Sequence, residues 1–516
     1  MATAFKPQFL GKANGTMPLF AVPVTPARPL RHYQRDAISL LRQNLGRGNR
    51  RIILQLCTGA GKTRIAAEII SGALAKGSTV AFTVPAISLI DQTVEAFEAE
   101  GIDAIGVMQA SHHRTDGTQP VQVCSVQTLT RRERPEADIV LVDEAHVQYD
   151  SVKEWIKESR TEAPRRIFIG LTATPWARGM ADHWDLLLTP VRMAELIDAG
   201  FLAPFDVYAP SHPDMAGVKT TGGDYATAGA SEVMQDRKLV ADIVDTWKQR
   251  AAGLPTLVFA VDKAHARKLV AEFAAGGVAM GYCDDKIDAI ERRLLFNQMA
   301  NGELAGIVNI GTLTTGVDAD VRCVVLARPT KSEMLFVQMI GRALRTAPGK
   351  DRAVILDHAD NHARLGMVTD IHHPKLLGGK SAKAATRKEM GEPMPKECGA
   401  CGCLKPPKTH ECPLCGFKPE RQSDIEVEDG ELIKFGGARV KKGKLDRDNK
   451  QKLWSEILGL QRQLCRSPGW ASHCYRDITA VWPRGLQDVG IEPSPELRSW
   501  VRAKDIRFAK SRGAGR

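Results

Sequence analysis

The 516-residue sequence has no apolar run near the roughly 18 residues that a membrane-spanning helix needs, so no such span is expected. Its first residues, MATAFKPQFLGKANG, contain no apolar core of signal-peptide length, and a cytoplasmic location is the expectation. No repeat of short period is visible. Cysteines number only 11 and are unevenly placed. Cys57, Cys124, Cys283 and Cys323 sit in apolar segments, as core thiols do, while five of the other seven lie between Cys398 and Cys415. That clustering argues against a disulfide framework. Net charge is absent from residues 1–374, where 42 Lys and Arg meet 42 Asp and Glu. The whole excess of +11 lies in residues 375–516. A basic region of this kind suits a polyanion, most simply nucleic acid. A solubilising tail is the plainer alternative.

Short apolar runs alternate with helical stretches from Ile52 onward. The first set of expected strands is Ile52–Leu56, Thr79–Val84, Val121–Val126, Ile139–Val142 and Ile167–Leu171. A second set is Thr256–Val261, Val278–Tyr282, Ile307–Ile310, Cys323–Ala327 and Ala353–Leu356, with helices over Ala264–Phe273, Ile287–Met299 and Met334–Leu344. Continuous apolar strands between helices predict parallel sheets covered on both faces, hence two α/β domains. The boundaries read as a lead-in (1–27), a first domain (28–205), a linker or insertion (206–236), a second domain (237–374), a linker (375–397), a cysteine-rich module (398–420) and a basic C-terminal region (421–516).

The loop Cys57-Thr58-Gly59-Ala60-Gly61-Lys62-Thr63 follows the first strand and opens a helix. Small residues let backbone N–H groups approach phosphate oxygens, and the helix N-terminus adds partial positive charge. Lys62 is placed to reach the β- and γ-phosphates of a bound polyphosphate, and Thr63 to ligate Mg2+. The usual pattern has glycine where Leu56 stands. The strand Ile139–Val142 ends in Asp143-Glu144-Ala145-His146. There Asp143 suits Mg2+, and Glu144 suits polarisation of an attacking water. Gln338, Gly341, Arg342 and Arg345 are spaced i, i+3, i+4 and i+7, which places them on one helical face.

These motifs, in this order over about residues 28–360, resemble those of superfamily 2 helicases. "LRHYQRDAI" is similar to the motif whose glutamine, here Gln34, reads adenine. "VPAISLIDQ" and "SVQTL" resemble strand-contacting motifs, "GLTATP" a coupling motif, "TTGVD" motif V and "QMIGRALR" the arginine-finger motif. The resemblance implies two tandem RecA-like domains binding ATP between them. The nucleotide site would comprise Gln34, Thr58, Gly59, Ala60, Gly61, Lys62, Thr63, Gly316 and Asp318. Lys62, Asp143, Glu144, Gln338, Arg342 and Arg345 would serve hydrolysis, and His146, Thr172 and Thr174 coupling. Pro85, Gln127, Thr128 and Thr315 would touch a nucleic-acid backbone. The Leu-Thr-Ala-Thr-Pro and Gln-Met-Ile-Gly-Arg forms are more similar to restriction-enzyme motor subunits, XPB-type repair helicases and phage helicases than to DEAD-box RNA helicases. DNA, single-stranded or branched, is the implied partner, with replication or recombination proteins as candidates at the C-terminal region. The host would be a bacterial or phage-infected cell. RNA unwinding, and a non-unwinding translocase or annealing protein using ATP as a switch, stay open. No nuclease constellation is visible.

Cys398, Cys401, Cys412 and Cys415 form two C-x-x-C pairs, the paired-knuckle spacing of a Zn2+ site, with Cys403 and His410 as competing ligands. The module reads as zinc-ribbon-like. Beyond it, Leu453, Ile457, Leu460 and Leu464 make a helical apolar stripe, in a region read as mainly helical. Trp470, Tyr475 and Trp482 lie among basic residues, which fits either stacking on single strands or a small helical core.

Overall fold

The computed structural model describes residues 29–109, 112–314, 319–379, 394–419 and 447–504, without 465, 480, 496, 499 and 503. The chain divides into two compact units, 1–421 and 422–516. No helix among the described residues is long and apolar enough to cross a membrane.

The first lobe of the larger unit is a parallel sheet of β1 (Arg51–Gln55), β2 (Val80–Val84), β3 (Ile105–Met108), β4 (Val121–Ser125), β5 (Ile139–Asp143), β6 (Ile167–Thr172) and β7 (Leu186–Leu188). Their order is β3-β4-β2-β5-β6-β1-β7. β2 and β4 are buried at every residue, so both faces are covered, and a continuous apolar run can be a strand here without alternation. β3 and β7 are short and were not among the expected strands. The order puts β5, β6 and β1 side by side, so the loops after them meet at one edge of the sheet.

The second lobe contains β8 (Phe205–Tyr208), a hairpin of β9 (Thr220–Thr221) and β10 (Asp224–Tyr225), then β11 (Thr256–Phe259), β12 (Met280–Cys283), β13 (Gly306–Asn309), β14 (Cys323–Leu326) and β15 (Ala353–Asp357). Its parallel sheet has the order β12-β13-β11-β14-β15-β8. The stretch 206–236, expected as a linker or insertion, carries regular structure at both ends. β8 pairs with β15, and the helix Thr227–Met234 buries Ala230 and Met234. The hairpin is held by Asp224, which accepts from Thr330 Oγ1 and Lys331 N, both at 2.7 Å. Low apolar content hid this segment, because its strand lies at a sheet edge and its hairpin is fastened by polar contacts.

The expected linker 375–397 also begins as structure. Leu377 pairs with Arg178 of the first lobe and accepts from Ala181 N at 3.1 Å, while Gly379 N donates to Asp182 at 3.0 Å. Just before it, His373 meets Glu333 of the second lobe at 2.6 Å and packs on Trp176 of the first. The chain leaving the second lobe therefore straps back across both. One apolar cluster also runs through the two lobes, joining Leu54 and Leu171 to Leu202, Val337 and Leu344.

The cysteine module follows as a hairpin of β16 (Lys396–Glu397) and β17 (Leu404–Lys405). It docks on β8, where Cys403 bridges Tyr208, and Arg250 donates to Cys401 O while lying 4.6 Å over the Tyr208 ring. The smaller unit packs helices Arg447–Gln463 and Pro468–Thr479 around Trp454, Ile457, Leu460, Cys474 and Tyr475. Tyr475 is thus a core residue, and Trp470 packs partly buried against the same cluster. Trp482 is exposed, with the Arg476 guanidinium 4.4 Å over its ring. Leu464, expected in the apolar stripe, is exposed as well.

Candidate nucleotide site and zinc centre

β1 delivers its chain into a loop where Gly59 and Gly61 have φ of +86° and +82°. A side chain is strained at such angles. It would also crowd its neighbours: a Cβ on Gly61 would sit 2.6 Å from Gln34 Nε2, and one on Gly59 would sit 2.9 Å from Leu202 Cδ2, so both side chains would have to move. Gly61 then caps helix Lys62–Leu74, whose first N–H groups have no partner in their own helix. The loop is braced from the first helix of the lobe, His32–Gly46. Gln34 Nε2 and Tyr33 Oη donate to Ala60 O at 3.1 and 3.0 Å. Thr58 is buried, and Thr63 lies exposed at the mouth. The cradle and the N-terminus it leads into fit a polyphosphate.

Across the cradle, the end of β5 places Asp143 and Glu144 beside Lys62. Lys62 Nζ lies 2.7 Å from Glu144 Oε1. Glu144 adopts φ +47°, a left-handed conformation costing about 1–3 kcal/mol in a residue with a side chain. Burial alone would raise its carboxyl pKa, but Lys62 and His146 outweigh this and hold it well below the usual range. Burial pushes Asp143 up to about 6, with Glu144 adding to the rise and Lys62 opposing it. Burial would lower Lys62, yet Glu144 and Asp143 keep it above its ordinary value. Buried Glu144 and partly buried Asp143 facing one ammonium, with Thr63 next to it in the chain, offer oxygen donors that fit a hard divalent cation such as Mg2+.

His146 joins this centre to the second lobe. Its Nδ1 lies 2.9 Å from Thr172 Oγ1 and 3.4 Å from Glu144 Oε2. Gln338 Nε2 stands 3.1 Å from His146 Nε2 and 3.4 Å from Thr174 Oγ1. Because Gln338 donates an N–H there, Nε2 accepts, and Nδ1 carries the proton toward Thr172. Thr174 N also donates to Thr172 Oγ1 at 3.0 Å. Lys62, Glu144, His146, Thr172, Thr174 and Gln338 therefore form one polar chain between lobes.

The arginines arrive differently from expectation. The helix is Glu333–Gly341, not Met334–Leu344, and Arg342 is its C-cap. Arg345 therefore lies in the turn beyond and not on a continuous helical face. Gly341 lets the helix end approach the phosphate loop, since a Cβ there would be 2.8 Å from Thr58 Cβ. Arg345 Cγ comes within 3.3 Å of where a Gly59 Cβ would stand. Gly316, Asp318 and Thr315 lie outside the described residues.

Pro85 and Thr128 follow β2 and β4, and Gln127 Nε2 donates to Pro85 O at 2.9 Å. Ser125 Oγ, at the start of the SVQTL motif, accepts from Thr128 N at 3.2 Å and fixes that turn. Pro85, Gln127 and Thr128, three of the four expected backbone-contact residues, thus cluster on the sheet edge that carries the cradle, and the fourth, Thr315, lies outside the described residues. Tyr33, which belongs to the LRHYQRDAI motif, thus braces the loop beside Gln34. The Phe201 ring, which lies 5.1 Å from that of Tyr33, was missed as part of the site and had no local signal, because only tertiary packing brings it there.

The four sulfurs of Cys398, Cys401, Cys412 and Cys415 lie within 4.8 Å of one another. Cys398–Cys415 and Cys401–Cys412 are each 3.7 Å apart. Four thiolates about 2.3 Å from one tetrahedral Zn2+ would stand about 3.8 Å apart, so the set fits zinc. Both knuckles close alike: Gly402 N donates to Cys398 O and Gly416 N to Cys412 O, each at 2.9 Å, with φ of +72° and +69°. Cys403 and His410 are outside this group, Cys403 facing β8 and His410 lying exposed.

Residues 28–177 match the family described as "Type III restriction enzyme, res subunit", and residues 237–347 match "Helicase conserved C-terminal domain". The chain is 30% identical over 376 residues to "Putative ATP-dependent helicase IRC3" of Saccharomyces cerevisiae, covering 68% of this chain and 54% of that one. It is 26% identical over 399 residues to a "51.5 kDa protein" of a Lactococcus phage, covering 74% and 83%. It is 26% identical over 423 residues to the "Type I restriction enzyme EcoKI endonuclease subunit" of Escherichia coli, covering 68% and 36%. The chain thus spans about half the length of the yeast relative and about a third of the restriction subunit. Motif order, two parallel-sheet lobes and both domain matches agree: the chain belongs to the superfamily 2 helicases, in the branch of the restriction-enzyme subunits.

Proposed function

We propose that the chain is an ATP-driven DNA motor, a helicase or translocase, working in phage-type replication, recombination or repair. The observation that carries this is the Gln338–His146–Thr172/Thr174 chain. It ties the arginine-bearing element of one lobe to the acids and phosphate loop of the other. Gln34 would orient the base, and Thr58 to Thr63 would hold the phosphates of ATP. Thr63 and Asp143 would hold Mg2+, which neutralises charge on the β- and γ-phosphates. Glu144, kept ionised beside Lys62, is placed to accept a proton from water. Lys62 would exchange its carboxylate partner for phosphate, and Arg342 and Arg345 would stabilise charge on the transferred group.

Work on DNA is supported by the position of Pro85, one strand away from the catalytic acids, and of Gln127 and Thr128, two strands away, on the same edge. Backbone contacts carry no sequence information, which suits a motor that steps through any sequence. The named restriction subunit favours DNA over RNA as the track.

Steady-state ATP hydrolysis with single-stranded, forked and duplex DNA and with RNA, using Lys62→Ala as the blank, tests this. Stimulation by DNA, lost in the variant, is expected. Stimulation by RNA alone would overturn the DNA assignment. Hydrolysis indifferent to nucleic acid would overturn the motor.

A further inference from the structure

Because helix Glu333–Gly341 stops before Arg342, the carbonyls of the following turn lose the amide partners that a longer helix would supply. The structure finds other partners for them. Leu344 O accepts from Ala203 N at 2.8 Å. Ala343 O and Arg345 O both accept from one ammonium, Lys350 Nζ, at 2.7 and 2.6 Å. The same Nζ donates at 2.7 Å to Val321 O, at the entrance to β14. A lysine has three N–H donors, and here all three meet backbone carbonyls.

Lys350 is itself held in place. Its N–H donates to Ala347 O at 3.1 Å. Arg322 donates to Pro348 O and Gly349 O, each at 2.8 Å, and is anchored on Asp320 at 2.9 Å. The loop thus carries its ammonium to the end of the arginine turn as a remote C-cap.

We propose that Lys350 is a positioning residue for hydrolysis: its ammonium fixes the backbone of the turn that presents Arg342 and Arg345 to the phosphate loop. The proposal rests on the ATPase reading above. The geometry favours it over a solvating surface lysine, because no N–H of the ammonium is left for water. A misplacement of about 1 Å can cost on the order of 100-fold in rate.

The charged groups facing Lys350 are Asp320, Arg322 and Arg345. Burial lowers its pKa to about 8; Asp320 opposes this, and Arg322 and Arg345 add to it. The ammonium is therefore present below pH 8 and lost as pH rises through it. The neutral amine has two donors for three carbonyls, so the turn loosens on the alkaline side.

The test uses the full chain with Lys350→Met, which keeps length without donors, and Lys350→Arg, which keeps charge at any pH. Lys350→Met should lower kcat by about 10–100-fold while KM for ATP stays within about threefold. Lys350→Arg should retain more of kcat than Met and flatten the alkaline fall of the wild type. Hydrogen exchange reads the cap without hydrolysis: amides of 342–346 should exchange faster in Lys350→Met while those of 335–341 do not. Unchanged exchange in the turn overturns the proposal whether or not the protein hydrolyses ATP. So does a wild-type kcat in Lys350→Met, or an alkaline limb shared by wild type and Lys350→Arg. Absence of Lys62-dependent hydrolysis combined with faster exchange would instead remove the ATPase reading and leave Lys350 only a cap.

Discussion

Gln338 shows how much rests on one side chain. Its amide is the second lobe's contribution to a chain ending at Lys62, and it meets both His146 and Thr174. Gln338→Ala should leave ATP binding unchanged and lower the DNA-stimulated rate by about tenfold, roughly the worth of one hydrogen bond to a well-placed partner. The ratio of hydrolysis with and without single-stranded DNA checks this; an unchanged ratio would remove Gln338 from coupling. His265 makes a different prediction. It is fully buried, Val261 N donates to its Nδ1 at 3.3 Å, and burial pushes its pKa down to about 4. A depressed histidine must stay neutral in the fold, so between pH 6.5 and 4 the unfolded chain binds more protons. Its share of stability is complete above pH 6.5 and is lost as pH falls toward 4, to a limit of about 3 kcal/mol. Thermal melts of the wild type should drop more steeply from pH 7 to 5 than those of His265→Gln. Parallel slopes would contradict it.

Among the elements, the helix Glu333–Gly341 is the one whose end matters most. Gly341→Ala should help the isolated helix by about 0.5–1 kcal/mol, because alanine loses less backbone freedom than glycine. Yet its Cβ would lie 2.8 Å from Thr58 Cβ and 2.9 Å from Thr58 Oγ1, in the other lobe. Overpacking of that kind costs about 1–3 kcal/mol, and only the closed arrangement bears it. The expected result is an unchanged or higher melting temperature with kcat/KM for ATP at least about tenfold lower. A lower melting temperature with normal kinetics would mean that the lobes do not meet at Gly341. The hairpin β16–β17 carries a metal prediction. Purified chain should contain one zinc by elemental analysis, and Cys412→Ser should lose it and expose residues 396–419 to protease. A metal content near zero in wild-type protein prepared without chelator would sink the zinc assignment.

For the whole molecule, the division at Arg421 separates two compact units with separate cores. The smaller is basic and presents Trp482 with Arg476 stacked on it, a combination suited to bases and phosphates. A chain ended after Arg421 should keep Lys62-dependent hydrolysis and its zinc. Its affinity for single-stranded DNA should fall, and so should the salt dependence of binding, because fewer phosphates are neutralised. Equal affinity and salt slope with and without residues 422–516 would assign the unit to something other than nucleic acid.

The sequence by itself determined whatever depends on short spacing. The cradle Thr58–Thr63, the acids Asp143 and Glu144 and the two C-x-x-C knuckles were legible because phosphate and metal chemistry need their groups within one loop or turn. The central strands were legible because a strand buried on both faces is a continuous apolar run. Only the tertiary structure decided that 205–208 belongs to the second sheet, since an edge strand is recognised by its partner and not by its own composition. It decided that Cys403 and His410 stand apart from the sulfurs, and that Tyr475 is core while Trp482 is surface. It also ended the arginine helix at Gly341, where the pattern ran on to Leu344. The carbonyls freed there are satisfied by Ala203 and Lys350, and pairing over such distances leaves no periodic trace in a chain.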